Sequence, residues 1–438
     1  MGISANFTAT VLCAASASFS ISIPSVRADP PRIVGISVPD WATASDAGAV
    51  STDGRTVLAH ATWRSPTGFE KSHAYLWTEE TGLRELPSLF GAQRVYATGM
   101  TADASDVIGY YSGGWLVTTE SVYSKSGSLR WHNGVVEPLD TVMNAPYSTP
   151  RAISPSGDRI IGYGTGSPIG LGALRWNTIG NQPVEFLPVL SGMQRSFAEA
   201  MTPDAAIVVG SAYIGESGSS SHRRAIRWDA SGASDLGTLP GYTDARATGV
   251  SQNGGVVTGY SFVALGAPQR ACMWTSSGIR DLGTLPGFSL TLPTFVSLDG
   301  SVVGGFATDP SSPFSRAFIW TDANGMHELN PFLSARGVDL SRWTLTAFAA
   351  IGVRNTVLTG SGIHQYQPGR FRTEGWVITL PVDPTCAADF NHLDGLTVQD
   401  VLDFLGAWFA GDPRADFNGA GLSAQDIFDF LNAWFSGC

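Results

Sequence analysis

The chain has 438 residues, with 26 Lys and Arg against 37 Asp and Glu, and a net charge of −11. That balance leaves no broad basic surface and argues against nucleic acid as a partner, while an apolar content of 43% excludes wholesale disorder. Only 14% of residues are charged, and 51 Gly and 25 Pro punctuate the chain, which suits a turn-rich all-β protein better than a helical one.

Residues 1–28 read as a secretory signal. An apolar and small-residue run over 7–23 is followed by Val26-Arg27-Ala28, which suits cleavage before Asp29, although no Lys or Arg precedes the run. Ser and Thr interrupt it, and no later stretch reaches 18 uninterrupted apolar residues, so the mature chain is expected to carry no transmembrane span. The expected location is extracellular or at the cell surface. Cys13 falls in the signal, and Cys386 and Cys438 bracket the last segment, where a disulfide between them would close it in an oxidising compartment. Cys272 lies in Arg270-Ala271-Cys272-Met273-Trp274, at a position filled by Ile226 or Phe318 in sister runs. It reads as a small buried apolar residue, not a nucleophile.

Residues 29–380 are repetitive. Asp-Leu-Gly-Thr-Leu-Pro-Gly occurs identically at 235–241 and 281–287. Around it lie four short β-like runs within 46 residues, separated by Gly, Asn, Asp and Ser turn signals. The Trp ending the third run recurs at 77, 131, 176, 228, 274, 320 and 376, at spacings of 54, 45, 52, 46, 46 and 56. The second run recurs seven times as well, for example Val208-Val209-Gly210 and Val302-Val303-Gly304. Four strands per unit at this spacing predict a seven-bladed β-propeller, because one thin sheet must stack on neighbours to bury both faces. An open solenoid or two smaller sheets is the alternative. The small residues of the first run suit inner strands near the axis, and the Trp suits packing between blades. The seventh unit has three runs of its own, so residues 32–38 are expected to supply its outer strand and close the ring.

These repeats resemble the HAF-type extracellular repeat proteins of bacteria. The matching pieces are the heptapeptide, Ser-x-(Asp/Asn)-Gly before a Val-Val-x-Gly run, and (His/Arg)-Ala-x-x-Trp at His73–Trp77, Arg224–Trp228, Arg270–Trp274 and Arg316–Trp320. Units two, three and seven depart from the last pattern. The resemblance covers roughly 32–380 and implies an exported propeller-like domain without a known activity.

After a linker at 381–385 the composition shifts. From Asp383 to Cys438 there are nine Asp and one Arg, a net of −8, which calls for a cation or a solvated surface. Residues 386–438 hold a duplication. Each copy is an Asp/Asn/Gly loop followed by apolar residues at helical spacing, 401, 404, 405, 408 and 427, 430, 431, 434. The loops resemble the calcium loops of dockerin modules, an EF-hand-like arrangement. The duplicated loops, Trp-Phe helix ends and closing Gly437-Cys438 resemble the dockerin-like C-terminal modules of planctomycete secreted proteins. That resemblance implies calcium ligands at Asp389, Asn391, Asp394 and Asp400 in the first copy, and at Asp416, Asn418 and Asp426 in the second. Both copies depart from the pattern: Leu393 and Ala420 stand at position 5, Asp394 comes one place late and Asp426 one place early. Asp403 and Asp429 either supply missing oxygens or favour the positive helix end. The resemblance further implies docking to a cohesin-like or cell-surface protein.

Motif search finds no G-x-S-x-G elbow, H-E-x-x-H, C-x-x-C, G-x-G-x-x-G or Walker loop, and the seven His are scattered. The 331–344 connection, with Arg336, Asp339, Arg342 and Trp343, is either a pocket near the axis or a surface excursion with one packing Trp. The reading that follows is a non-catalytic binding or scaffold protein, with a glycan as one candidate ligand. A dockerin-tethered enzyme acting on polysaccharide and a structural envelope component are the alternatives.

Overall fold

The computed structural model describes residues 30–380, except 52, 65–69, 90, 118–121, 140–146, 168–169, 179–183, 215–221, 264–267, 313 and 353–356. In the tail it describes 388, 390, 398–409, 411, 415–417 and 421–436. The signal segment, the linker, Cys386, Cys438, Asp389, Asn391, Asp394 and Asn418 lie outside the described residues.

Among the described residues the body is built of strands in sets of four. A leading strand, β1 (Arg32–Ile36), precedes the first set, β2 (Ala44–Val50), β3 (Val57–Arg64), β4 (Glu70–Thr78) and β5 (Gly82–Glu85). The second set is β6 (Arg94–Met100), β7 (Asp106–Val117), β8 (Val122–His132) and β9 (Val135–Pro138); the third is β10 (Ser148–Ile153), β11 (Arg159–Ser167), β12 (Gly170–Asn177) and β13 (Glu185–Phe186). Then come β14 (Met193–Met201), β15 (Val208–Ile214), β16 (His222–Asp229) and β17 (Gly232–Asp235), followed by β18 (Asp244–Val250), β19 (Val257–Phe262), β20 (Arg270–Thr275) and β21 (Gly278–Gly283). The sixth set is β22 (Leu290–Val296), β23 (Val302–Thr308), β24 (Arg316–Thr321) and β25 (Gly325–Glu328). A short helix α1 (Leu329–Ser334) leads to β26 (Trp343–Ile351), β27 (Val357–Gln367) and β28 (Arg370–Thr379).

Each set is an antiparallel meander. The last three strands take β1 as their fourth: Arg32 faces Thr379 and Ile36 faces Gly375. The expected strand over 32–38 is thus found over 32–36. It is tied to the first set as well, since Ser45 Oγ donates to Ile36 O (2.9 Å) and accepts from Gly375 N (3.1 Å).

The recurrent motifs now have physical causes. The third-strand Trp packs between neighbouring sets: Trp131 clusters with Leu58, Ala74 and Leu76 of the first set, and Trp228 with Ile161 and Ala173 of the third. The indole N–H of each reaches back to the preceding connection, Trp131 to Pro87 O (2.7 Å) and Trp228 to Pro188 O (2.8 Å), so a buried donor is satisfied. The first residue of (His/Arg)-Ala-x-x-Trp pairs with an acid on the fourth strand: His73 with Glu85, Arg224 with Asp235, Arg270 with Asp281, Arg316 with Glu328. In the heptapeptide, Asp235 and Asp281 also accept the N–H of Gly237 and Gly283 (both 2.8 Å), and Leu239 and Leu285 are buried.

The Val-Val-x-Gly run answers a backbone irregularity that the sequence does not announce. Every first strand of a set slips register near its middle, leaving one residue unpaired there, or two in the first set, and β14 and β26 carry a further slip at Gln194 and Thr346. Across from the residue before the slip stand Gly109, Gly162, Gly210, Gly259, Gly305 and Gly360, with Ala59 in the first set. A Cβ on any of the six glycines would lie 1.9–2.1 Å from a carbonyl oxygen of the bulged strand. The bulge therefore dictates the glycine.

The tail holds α2 (Val398–Phe409) and α3 (Ala424–Ser436). Phe404 and Phe430, equivalent in the two copies, stack at 4.1 Å, and Phe390 and Phe417 pack edge-on against them. Among the described residues no helix is long and apolar enough to cross a membrane.

Candidate binding site

A β-bulge turns its unpaired side chain out of the pleat. At the slip shared by all seven sets the bulged residues are Gly48 and Ala49, then Thr98, Arg151, Glu199, Thr248, Thr294 and Ala349, one place per set. Five of these positions are polar, and each reaches the next set. Thr98 Oγ1 donates to Pro150 O (2.9 Å), Thr248 Oγ1 to Pro293 O (2.9 Å) and Thr294 Oγ1 to Phe348 O (2.6 Å). Arg151 binds Glu199 Oε2 through Nε (3.0 Å) and Nη2 (2.8 Å). Glu199 accepts from Arg246 on its other oxygen. Bonds thus run from the second set through to the seventh.

The five polar bulged side chains border a cavity of about 500 Å³, lined also by Arg246, Tyr260, Pro293 and Phe306. Glu199 is 7% exposed, Arg151 35% and Arg246 25%, so the acid is enclosed between two guanidiniums that still meet solvent. Burial works against the Arg246 charge, but Glu199 and the Tyr260 hydroxyl outweigh it and hold its pKa above the usual value. The residue after the glycine of each second strand is often aromatic, as in Tyr110, Tyr163, Tyr260 and Phe306. Burial raises the phenol pKa of Tyr110 and Tyr163, while the Arg151 charge opposes the rise in both.

On the first set the corresponding contact is a histidine. His60 Nδ1 lies 2.8 Å from Asp46 Oδ1, and Nε2 lies 3.0 Å from both the N and the O of Ala97 on β6. Neutral, the ring accepts the Ala97 N–H; protonated, it donates to the carbonyl. Burial lowers its pKa, yet the Asp46 carboxylate and the hydrogen bonds carry the net shift upward from 6.5. A raised folded pKa stabilises the protein fully below about 6.5 and loses that contribution as pH rises through the folded value. Thermal melts of the parent and His60→Gln should therefore converge between about pH 6 and pH 8, by on the order of 1 kcal/mol. A gap that stays constant over that range contradicts the assignment.

The residues of the 331–344 connection are not among those lining this cavity. Arg336 folds over the ring of Phe332 at 3.5 Å, and Asp339 accepts the Ser341 N–H (3.0 Å). Arg342 is exposed and its carbonyl accepts Gln365 N (2.9 Å), while Trp343 is buried and stacked on His364 at 4.2 Å. Apolar packing accounts for the segment, because Leu329, Leu333, Val338 and Leu340 join Trp343 in one core cluster. Cys272 is buried beside Ser261, and burial pushes its thiol up to about 12, so it is inert.

In the tail, Asp400 and Asp426 are fully buried, a costly state for a carboxylate without partners. Asp426 accepts Phe417 N (2.9 Å) and Ser423 N (2.7 Å). Asp416 Oδ2 accepts Gly421 N (3.0 Å), with Gly421 at φ +95, while Oδ1 is buried with no hydrogen-bond partner among the described residues. A buried orphan carboxylate oxygen beside a glycine turn fits a hard, oxygen-seeking cation. Among the described residues no three such groups gather. Asp403 and Asp429 accept from Gln399 and Gln425 one turn earlier on their own helices (2.8 and 2.9 Å).

No protein-family model matches the chain, and no curated protein matches its sequence. Among solved structures, the β-propeller domain of the Trilobed protease from Pyrococcus furiosus is similar over 76% of this chain and 97% of its own, at 8% identity and a TM-score of 0.49. An oligogalacturonate lyase in complex with manganese is similar over 80% of this chain and 93% of its own, at 12% identity and 0.46. A putative TolB from Agrobacterium tumefaciens is similar over 56% and 83%, at 13% and 0.39. Nothing about activity is carried over from them. The chain is a mostly-β, propeller-like protein with a small helical region at its C-terminal end.

Proposed function

We propose that the protein is a secreted or cell-surface binding protein without a catalytic role. Its seven sets of strands close into a seven-bladed propeller with β1 as the last strand, and a dockerin-like tail attaches it, with calcium, to a cohesin-like or other surface protein. The observation that carries the binding reading is the axial cavity. Its charged groups are locked on one another across set boundaries, which makes a rigid, preorganised surface and not an acid–base pair free to exchange protons. Calcium would be held by Asp416, Asn418 and Asp426 in the second loop and by Asp389, Asn391, Asp394 and Asp400 in the first. Leu402 and Phe428, equivalent positions of α2 and α3, are 57% and 61% exposed and suit a docking partner.

The test uses the full chain. Calcium is expected to raise hydrogen-exchange protection in 398–436, and Asp416→Ala to weaken that response at least about tenfold in calcium concentration, by the loss of one ligand. No calcium-dependent protection in the parent removes the metal from the reading. Retention on cell-envelope fractions is expected to survive Leu402→Asp or Phe428→Asp alone and to fail when both are changed. Retention by the double variant refutes docking through the helices.

A further inference from the structure

We infer that the axial cavity binds a carboxylate-bearing sugar, with the arginines of the third to fifth sets taking the carboxylate and the aromatic rings taking the sugar face. This rests on the binding reading above and names the ligand of that same cavity. Charge is the first argument. Arg151 and Arg246 share one acid, Glu199. Arg223, on the fourth set, makes no ion pair among the described residues. Its backbone N–H is held by Asp244 Oδ1 (2.6 Å), and its guanidinium lies over Tyr213 at 5.2 Å and donates to Ser211 Oγ (3.2 Å). Burial and the nearby Arg246 charge both hold the Arg223 pKa down. Three guanidiniums thus stand against two carboxylates, Glu199 held by Arg151 and Arg246 and Asp244 at the Arg223 backbone, a local surplus of one positive charge in a chain whose net charge is −11. Arg223 does not line the cavity itself but is near enough for the Glu199 and Arg246 charges to act on it, and such a surplus favours an anion.

Shape is the second. Glu199 shows what these arginines bind: a carboxylate with one oxygen, Oε2, taking both Nε–H and Nη2–H of Arg151 and the other taking Arg246. A ligand carboxylate would meet the remaining guanidinium N–H groups from the solvent side, where Arg151 and Arg246 remain part-exposed. The cavity, about 500 Å³, is large enough for one or two sugar rings and is also lined by Tyr260, Phe306 and the hydroxyl-bearing Thr98, Thr248 and Thr294. Aromatic faces and fixed hydroxyl groups suit a polyol ring better than an extended acidic peptide.

The closing experiment is calorimetric titration of the full chain with a β-linked glucuronate tetramer, the matching neutral glucose tetramer, a sulfated glucose tetramer and an acetylated Glu tripeptide. Binding of the glucuronate tetramer is expected, weakening about tenfold or more when salt is raised several-fold. It should also weaken at least about tenfold in Arg223→Gln and Arg151→Gln, whereas Arg280→Gln, on the outer strand β21, should bind as the parent does. Glu199→Gln, which releases both arginines, is expected to bind the uronate more tightly; weaker binding by a folded Glu199→Gln overturns the proposal. Equal binding of the neutral tetramer overturns the carboxylate requirement but leaves the binding reading intact. Preference for the sulfated sugar or the peptide overturns the ligand class. Shortening of the glucuronate tetramer would support the ligand class and overturn the non-catalytic reading.

Discussion

Gly210→Ala is expected to be among the most damaging single-methyl additions the body can receive, at about 3 kcal/mol or more. The added Cβ would stand 1.9 Å from Phe197 O and 3.1 Å from Ala198 Cα. Both are backbone atoms of the bulged strand, so no side chain can turn aside, and relief requires the register slip itself to be lost. That slip aims Glu199 at Arg151 and Arg246, so the damage should extend to the axial ion pairs. Gly406→Ala is the natural control. Gly406 lies in α2 with nothing within 4 Å of the added carbon, and alanine there should stabilise the tail by about 0.5–1 kcal/mol through helix propensity alone. Denaturant midpoints of the two variants should move in opposite directions. An unchanged midpoint for Gly210→Ala would mean that the second strands do not need their glycines.

Ile36→Ala should cost about 2–5 kcal/mol, the usual range for emptying a fully buried large aliphatic site. Ile36 is 0% exposed and packs with Ala47, Val57, Tyr75, Trp77 and Val377, so one side chain near the start of the body joins the first set of strands to the last. The pattern of loss matters more than its size. Hydrogen exchange should quicken together in β27–β28 and in β2–β3, with β18–β21 affected least. Loss confined to β1 would mean that the leading strand is an appendage and that the ring reading is wrong.

Much of this architecture was legible from the chain alone. The seven tryptophans and the second-strand runs marked the sets, and the three-run seventh unit pointed to residues 32–38 for its fourth strand. The amphipathic spacing over 401–408 and 427–434 placed α2 and α3. The axial charges were not found, because a bulge leaves no trace in hydrophobic alternation. Arg151 and Glu199 are isolated charges inside small-residue runs. The signal that could have exposed them is alignment on the following glycine: they stand where Thr98, Thr248 and Thr294 stand in sister units. Helix α1 was missed for a related reason, since Pro331 and the polar residues beside it read as a loop while Leu329 and Leu333 drive the segment into the core. The four residues picked from that connection were chosen for their chemistry, and packing had already claimed Trp343.

The pairing of residues 32–36 with 375–379 also sets a kinetic order. Contacts so distant along the chain carry a high loop-closure cost and form late. During synthesis the partner of β1 is the last strand of the body to emerge, so earlier sets can condense on one another while β28 still shows a bare edge to solvent. Until then that edge is open to other strands, including those of neighbouring copies. Refolding should accordingly show a slow final phase that reports the arrival of the leading strand, and crowded refolding should favour exchange of that strand between molecules.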